Sequence, residues 1–99
     1  MFYRIEAYDH EGQGERRQAL RDRHIAYWRE LGLKVAAAGA ILDSDCENAL
    51  PIGSIIIVEA DSAEEAAAML ERDPFTIEGV FSSRSTLTRW RPAIGRWYD

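Results

Sequence analysis

Two side chains in this sequence have the types and settings that proton transfer needs, His24 and Asp73. Asp73 stands immediately before Pro74. Proline disfavours the α conformation in the residue before it, so the helical pattern running into this region must stop at about Arg72. Asp73 then sits on a stiff corner, and a carboxylate on a stiff corner can be aimed. Its plainer use is to accept from backbone N–H groups in the turn. His24 falls in the apolar stripe of a helical segment, four residues from both Leu20 and Trp28. Arg21 and Arg17 precede it by one and two turns on the same side. Its plainer use is a histidine at the edge of the core, bonded to backbone.

If the two converge, Asp73 accepts from one imidazole nitrogen and fixes the tautomer. The other nitrogen is then free to act as general base or acid near neutral pH. Such a step is worth about 10²–10⁴ in rate. Proton abstraction, elimination and isomerisation need little else beyond an anion site. Arg21 is the candidate for that site, a planar two-pronged donor for a carboxylate or phenolate, and the Ser54 hydroxyl is a candidate polar contact.

The elements that must position these groups follow from periodicity. Phe2–Tyr8 alternates, with Tyr3, Ile5 and Ala7 on one face, and predicts a strand. Asp9–Gly14 is a turn or loop. Glu15–Leu31 has no proline or interior glycine and is followed by Gly32, which predicts a helix with a glycine at its end. Leu33–Leu42 predicts a strand with close packing or a bulge near Gly39. Asp43–Pro51 is a polar loop lacking the spacing of a calcium loop. Gly53–Ala60 carries four consecutive β-branched residues, Ile55 to Val58, and predicts a central strand. Ser62 followed by Glu65 is a capping box that opens a second helix, Ser62–Arg72. Val80–Trp90 predicts a last strand whose Ser, Thr and Arg content fits a face lining water, a ligand or another subunit. The tail Arg91–Asp99 carries Trp97 and Tyr98, which are expected to dock on the body or on a second chain.

The order is β-α-β-β-α-β, an α+β ferredoxin-like pattern with two helices on one face of a four-stranded antiparallel sheet. The other sheet face carries Ile and Val beside polar and aromatic residues. The economical cover is a second copy, so a homodimer packed sheet against sheet is expected.

Composition narrows the function further. Ninety-nine residues make one domain, 1–99, and 46% hydrophobic with 29% charged residues are ordinary globular values. A formal net charge of −5 and the lack of a basic run leave nothing for a phosphate backbone, so no nucleic acid is expected. No stretch reaches 18 uninterrupted apolar residues and no secretory signal is visible, so no membrane partner and a cytoplasmic location are expected. Cys46 is the only cysteine, which excludes an internal disulfide or a thiolate cluster. Ser54 lacks a G-x-S-x-G elbow, which argues against a serine hydrolase. The histidines and acids do not give metal-ligand spacing. Neither an axial-ligand nor a phosphate-cradling motif stands out, so no cofactor and no metal are expected.

Four blocks are familiar in combination: Arg21-Asp22-Arg23-His24; Ala38-Gly39-Ala40-Ile41-Leu42-Asp43; Gly53-Ser54; and Asp73-Pro74-Phe75 with Gly79-Val80-Phe81. On these the chain resembles the YCII-related (YciI-like) family over nearly its whole length. It departs from the family at Ala40, where a proline is usual. The resemblance implies a dimeric α+β barrel of ferredoxin-like subunits, similar in architecture to muconolactone isomerases and small antibiotic-biosynthesis monooxygenases. It implies an active site built on His24 and Asp73. Arg21, Ser54 and Phe75 are the expected substrate contacts. The expected function is a small cofactor-independent enzyme of the lyase or isomerase type, acting on a small aromatic or carboxylated metabolite. The alternative is a non-catalytic dimer that holds a small ligand or supports another enzyme.

Overall fold

A computed structural model describes residues 1–96 of the chain. Trp97 and Tyr98, expected to dock, lie outside the described residues. Strand β1 is Phe2–Asp9, and its alternation buries Tyr3, Ile5 and Ala7. Helix α1 is Gly14–Glu30, with Leu31 as its C-cap and Gly32 beyond it at φ +60. That left-handed conformation is open to glycine at little cost and ends the helix. A 3₁₀ turn, Gly32–Lys34, takes up the first residues expected in a strand, so β2 starts late, at Val35–Leu42. Strand β3 is Pro51–Glu59 and helix α2 is Ala63–Glu71. The capping box forms: Ser62 Oγ accepts from the Glu65 N–H at 3.1 Å, and Glu65 Oε2 accepts from the Asp61 N–H at 3.0 Å. After it comes an element that periodicity does not reveal, the four-residue helix α3, Pro74–Ile77. Strand β4 is Phe81–Trp90.

The strands form one antiparallel sheet in the order β2-β3-β1-β4, which is the ferredoxin-like arrangement with β3 and β1 central. Tyr3, Ile5 and Ala7 pair with Val58, Ile56 and Ser54, and these six side chains share the face that the helices cover. Each large aliphatic residue buried there contributes about 1.5–3 kcal/mol relative to exposure. One cluster joins Tyr3, Ile5, Ile56 and Val58 to Trp28 and Met69. A second joins Ala7, Phe75, Val80 and Phe81 around the start of α3.

Close backbone approach occurs at Gly53 rather than at Gly39. A Cβ on Gly53 would stand 2.5 Å from the Ala7 carbonyl oxygen, whereas one on Gly39 would meet nothing within 4 Å. The irregularities of β2 fall between Val35 and Ala37 and between Ile41 and Leu42. The opposite sheet face carries Phe2 edge-on to Trp90, Tyr8 beneath the Arg84 guanidinium, and Ile55 at 39% exposure. Among the described residues, no helix is long and apolar enough to cross a membrane.

Candidate active site

Pro74 stops α2 and starts α3, where its fixed φ suits the first helical position. Asp73 is thereby left as the N-cap of α3, with extended backbone, and its Oδ1 accepts from the Phe75 N–H at 2.8 Å. The capping use foreseen for a turn aspartate is therefore present. It occupies only part of the carboxylate. His24 Nδ1 lies 2.8 Å from both Oδ1 and Oδ2, and Trp28 Nε1–H donates to Oδ2 at 2.8 Å. Asp73 is 0% exposed, so these donors replace water entirely. An ionised carboxylate only accepts, which places the imidazole proton on Nδ1 and leaves the Nε2 lone pair free.

Packing holds the ring in that orientation. His24 stacks on Phe75 at 4.0 Å between centroids with 10° between planes, and meets Phe81 edge-on at 6.3 Å. Phe75 also carries the Arg17 guanidinium 4.7 Å from its ring centroid.

Arg17 is the arginine that enters the protein. It is buried, and donates from Nη1 to Asp9 Oδ1 at 2.8 Å, and from Nη2 to the Gly53 carbonyl at 2.8 Å and to Ser54 Oγ at 2.7 Å. These bonds tie α1 to the end of β1 and the start of β3. Burial pushes the Asp9 carboxyl above its ordinary range, with Arg17 pulling the other way. Ser54 is 1% exposed; with its oxygen engaged by Arg17, its own proton is available to a ligand.

A cavity of about 940 Å³ lies between α1 and the β2–β3 side of the sheet, and His24, Arg17, Ser54, Phe75 and Arg21 all line it. Of the residues expected at the site, His24, Asp73, Phe75 and Ser54 are drawn together around one end of α3 and the start of β3. Asp73 stands behind His24 rather than in the cavity wall. Arg21 is placed differently: it lies on the exposed rim, 3.9 Å from Asp22. His10 is exposed and takes no part. Among the described residues no three metal-ligating side chains are grouped to hold an ion.

Sequence reasoning passed over Arg17, Trp28 and Asp9. Helical phase held a signal for the first two. At 100° per residue Arg17 lies about 20° and Trp28 about 40° from His24, whereas Arg21 lies about 60° away. Asp9 carried no signal, because it stands at a strand end beside a polar loop.

Comparison with known proteins agrees with this architecture. The family model for the YCII-related domain matches residues 1–91. A solved structure of 5-chloro-2-hydroxyhydroquinone dehydrochlorinase (TftG) from Burkholderia phenoliruptrix AC1100, in complex with 2,5-dihydroxybenzoquinone, is similar over 100% of both chains, at 30% identity and a TM-score of 0.85. SnoaB, a cofactor-independent oxygenase from Streptomyces nogalater, is similar over 94% of both chains at 12% identity and a TM-score of 0.55, a likeness of fold. No curated protein matches the chain.

Proposed function

This chain belongs to the YCII-related family, and from that premise we propose that it is a small cofactor-independent enzyme of the elimination or isomerisation type. In this reading His24 moves a proton to and from an oxygenated aromatic substrate, and Asp73 holds the ring. The observation that carries it is Asp73, each of its oxygens met by donors, behind a His24 that itself lines a cavity. A pair built only for stability has no need of a cavity beside its histidine. The likeness to a dehydrochlorinase that binds a dihydroxyquinone supports the elimination class and the aromatic substrate.

For a chlorinated hydroxyhydroquinone the step balances as loss of HCl. Nε2 takes a hydroxyl proton and delivers it to the ring carbon that carries chlorine, giving the keto form. A second hydroxyl then loses its proton to Nε2, its oxygen becomes a carbonyl, and chloride leaves with the C–Cl electron pair. The ring is oxidised to a hydroxyquinone at the expense of the C–Cl bond, so no outside oxidant enters. In this reading Ser54, its oxygen held by Arg17, donates to the oxygen on which negative charge grows. Phe75 supplies an apolar floor, and Arg21 at the rim attracts the anionic form of the substrate. The open sheet face completes the reading as the contact between two copies.

The test is chloride release and quinone absorbance with 5-chloro-2-hydroxyhydroquinone, and turnover of related hydroxyhydroquinones and small lactones. His24→Ala should lower kcat by about 10²–10⁴ while ligand binding is partly retained. Turnover that survives His24→Ala, or wild-type protein that turns over none of these compounds, sinks the reading.

A further inference from the structure

The cavity is larger than a single ring requires. It holds about 940 Å³, whereas a cavity of roughly 150 Å³ already takes benzene. Pockets of about 300–1,000 Å³ usually enclose ligands of drug size. The cavity follows α1 from Gly14 to Arg29, about 22 Å at the helical rise. His24 stands well inside this length, with Arg29 about 7.5 Å further along the axis. The reacting group therefore leaves room beyond it.

The character of the lining changes past His24. Ile25, Trp28 and Val35 make an apolar stretch. The wall opposite is built of Ala38, Gly39 and Ala40, which add almost no bulk, and a Cβ at Gly39 would still touch nothing within 4 Å. The stretch ends at Arg29, which has no ion-pair partner among the described residues. In a chain of net charge −5, three arginines line this cavity, Arg17, Arg21 and Arg29, against the single acid Glu15. Asp9 already holds Arg17 and Asp22 stands 3.9 Å from Arg21, so Arg29 is the arginine left to meet an anion. Inside the cavity, the nearly wholly buried Ser54 still has a hydroxyl proton to give.

We infer that the substrate is an extended anion of more than one ring's length. Its oxygenated reacting ring lies at His24. An apolar second ring runs between Trp28 and the small residues of β2, and a carboxylate ends at Arg29. This rests on the reading of His24 given above, and names the substrate class for that same site.

Three probes test it by calorimetry on the whole chain: 2,5-dihydroxybenzoquinone, 2-hydroxy-1,4-naphthoquinone, and the same naphthoquinone bearing a carboxyethyl group on carbon 6 of its second ring. Each extension should tighten binding about tenfold, as expected for burying several apolar carbons and then for one charge-assisted contact. Arg29→Gln should abolish the gain from the carboxylate, and Ala38→Leu should abolish the gain from the second ring. Equal affinities for the three probes, tightest binding of the single ring, or a carboxylate gain that survives Arg29→Gln overturns the inference. So does an Arg29→Gln variant that lowers Tm and leaves all three affinities unchanged, which marks a helix-end role alone. If the single-ring probe binds and shifts the His24 ring signals without any gain on extension, the inference fails and the proposed function stands. If no probe binds and His24 is unmoved, both fail.

Discussion

Asp73 has no contact with water, yet each of its oxygens meets two donors. A carboxylate so placed is a structural centre whatever its part in the proposed chemistry, because it joins α1 to the start of α3. Asp73→Ala should therefore lower the unfolding free energy by about 1–3 kcal/mol for each N–H left without an acceptor, measured by denaturant titration. Asp73→Asn keeps the shape and removes the control over the His24 proton. In the wild type, ¹⁵N chemical shifts of the imidazole should show the proton on Nδ1; in Asp73→Asn they should show a tautomer mixture. An unchanged pattern separates the two residues functionally.

Asp9 gives a prediction of its own at this scale. Its carboxyl is raised by burial, with Arg17 opposing, so it holds its proton more tightly in the folded chain than in the unfolded one. The stability it contributes is fully present below its ordinary 3.8 and is lost as pH rises through the raised value. The difference in unfolding free energy between wild type and Asp9→Asn should fall as pH is raised from about 3 to 6. A difference that grows over that window contradicts the assigned direction.

Among the elements, β3 sets the site through Gly53. Its backbone passes so near β1 that a methyl group would press on the Ala7 carbonyl oxygen at 2.5 Å. Gly53→Ala should cost about 1–3 kcal/mol, the usual range for an overfilled interior. Because the Gly53 carbonyl and Ser54 Oγ both hold Arg17, activity should fall together with stability. A variant as stable and active as the wild type removes this account of the glycine. Helix α3 shows what local pattern leaves out. Four residues are one turn, too short for an apolar period to declare itself. The Asp-Pro pair reads equally as the corner of a turn, which was the expectation, and as N-cap followed by first helical residue, which the chain adopts. Either way Asp73 is rigid, so its importance was legible even though its element was not.

At the scale of the molecule, the helices cover one sheet face and leave Ile55 at 39% exposure and Trp90 at 36% on the other. Sheet-to-sheet pairing of two copies should give a sedimenting species of about 22 kDa, twice the 11.2 kDa chain. Ile55→Asp should shift it to the monomer mass, since a buried unpaired carboxylate costs more than such a contact returns. A wild-type protein that stays monomeric at tens of micromolar defeats this proposal.

By itself, the sequence determined the four strands, the two longer helices and their order, and it singled out His24 and Asp73. Strand alternation, helical stripes, the Ser62–Glu65 cap and the break before Pro74 are all local, and local rules of sterics and hydrogen bonding read them directly. The Arg-x-x-His and Asp-Pro-Phe blocks carried the family. What only the tertiary structure decided is which polar groups meet. Arg17 finds Ser54 across 37 positions and Trp28 finds Asp73 across 45. Arg17 and Arg21 point within about 40° of one another on α1, so the tilt at which the helix lies on the sheet chooses between them. It takes Arg17 into the core and leaves Arg21 on the rim. A difference that small in helical phase separates a buried clamp from a surface charge, and only packed strands beneath the helix can resolve it.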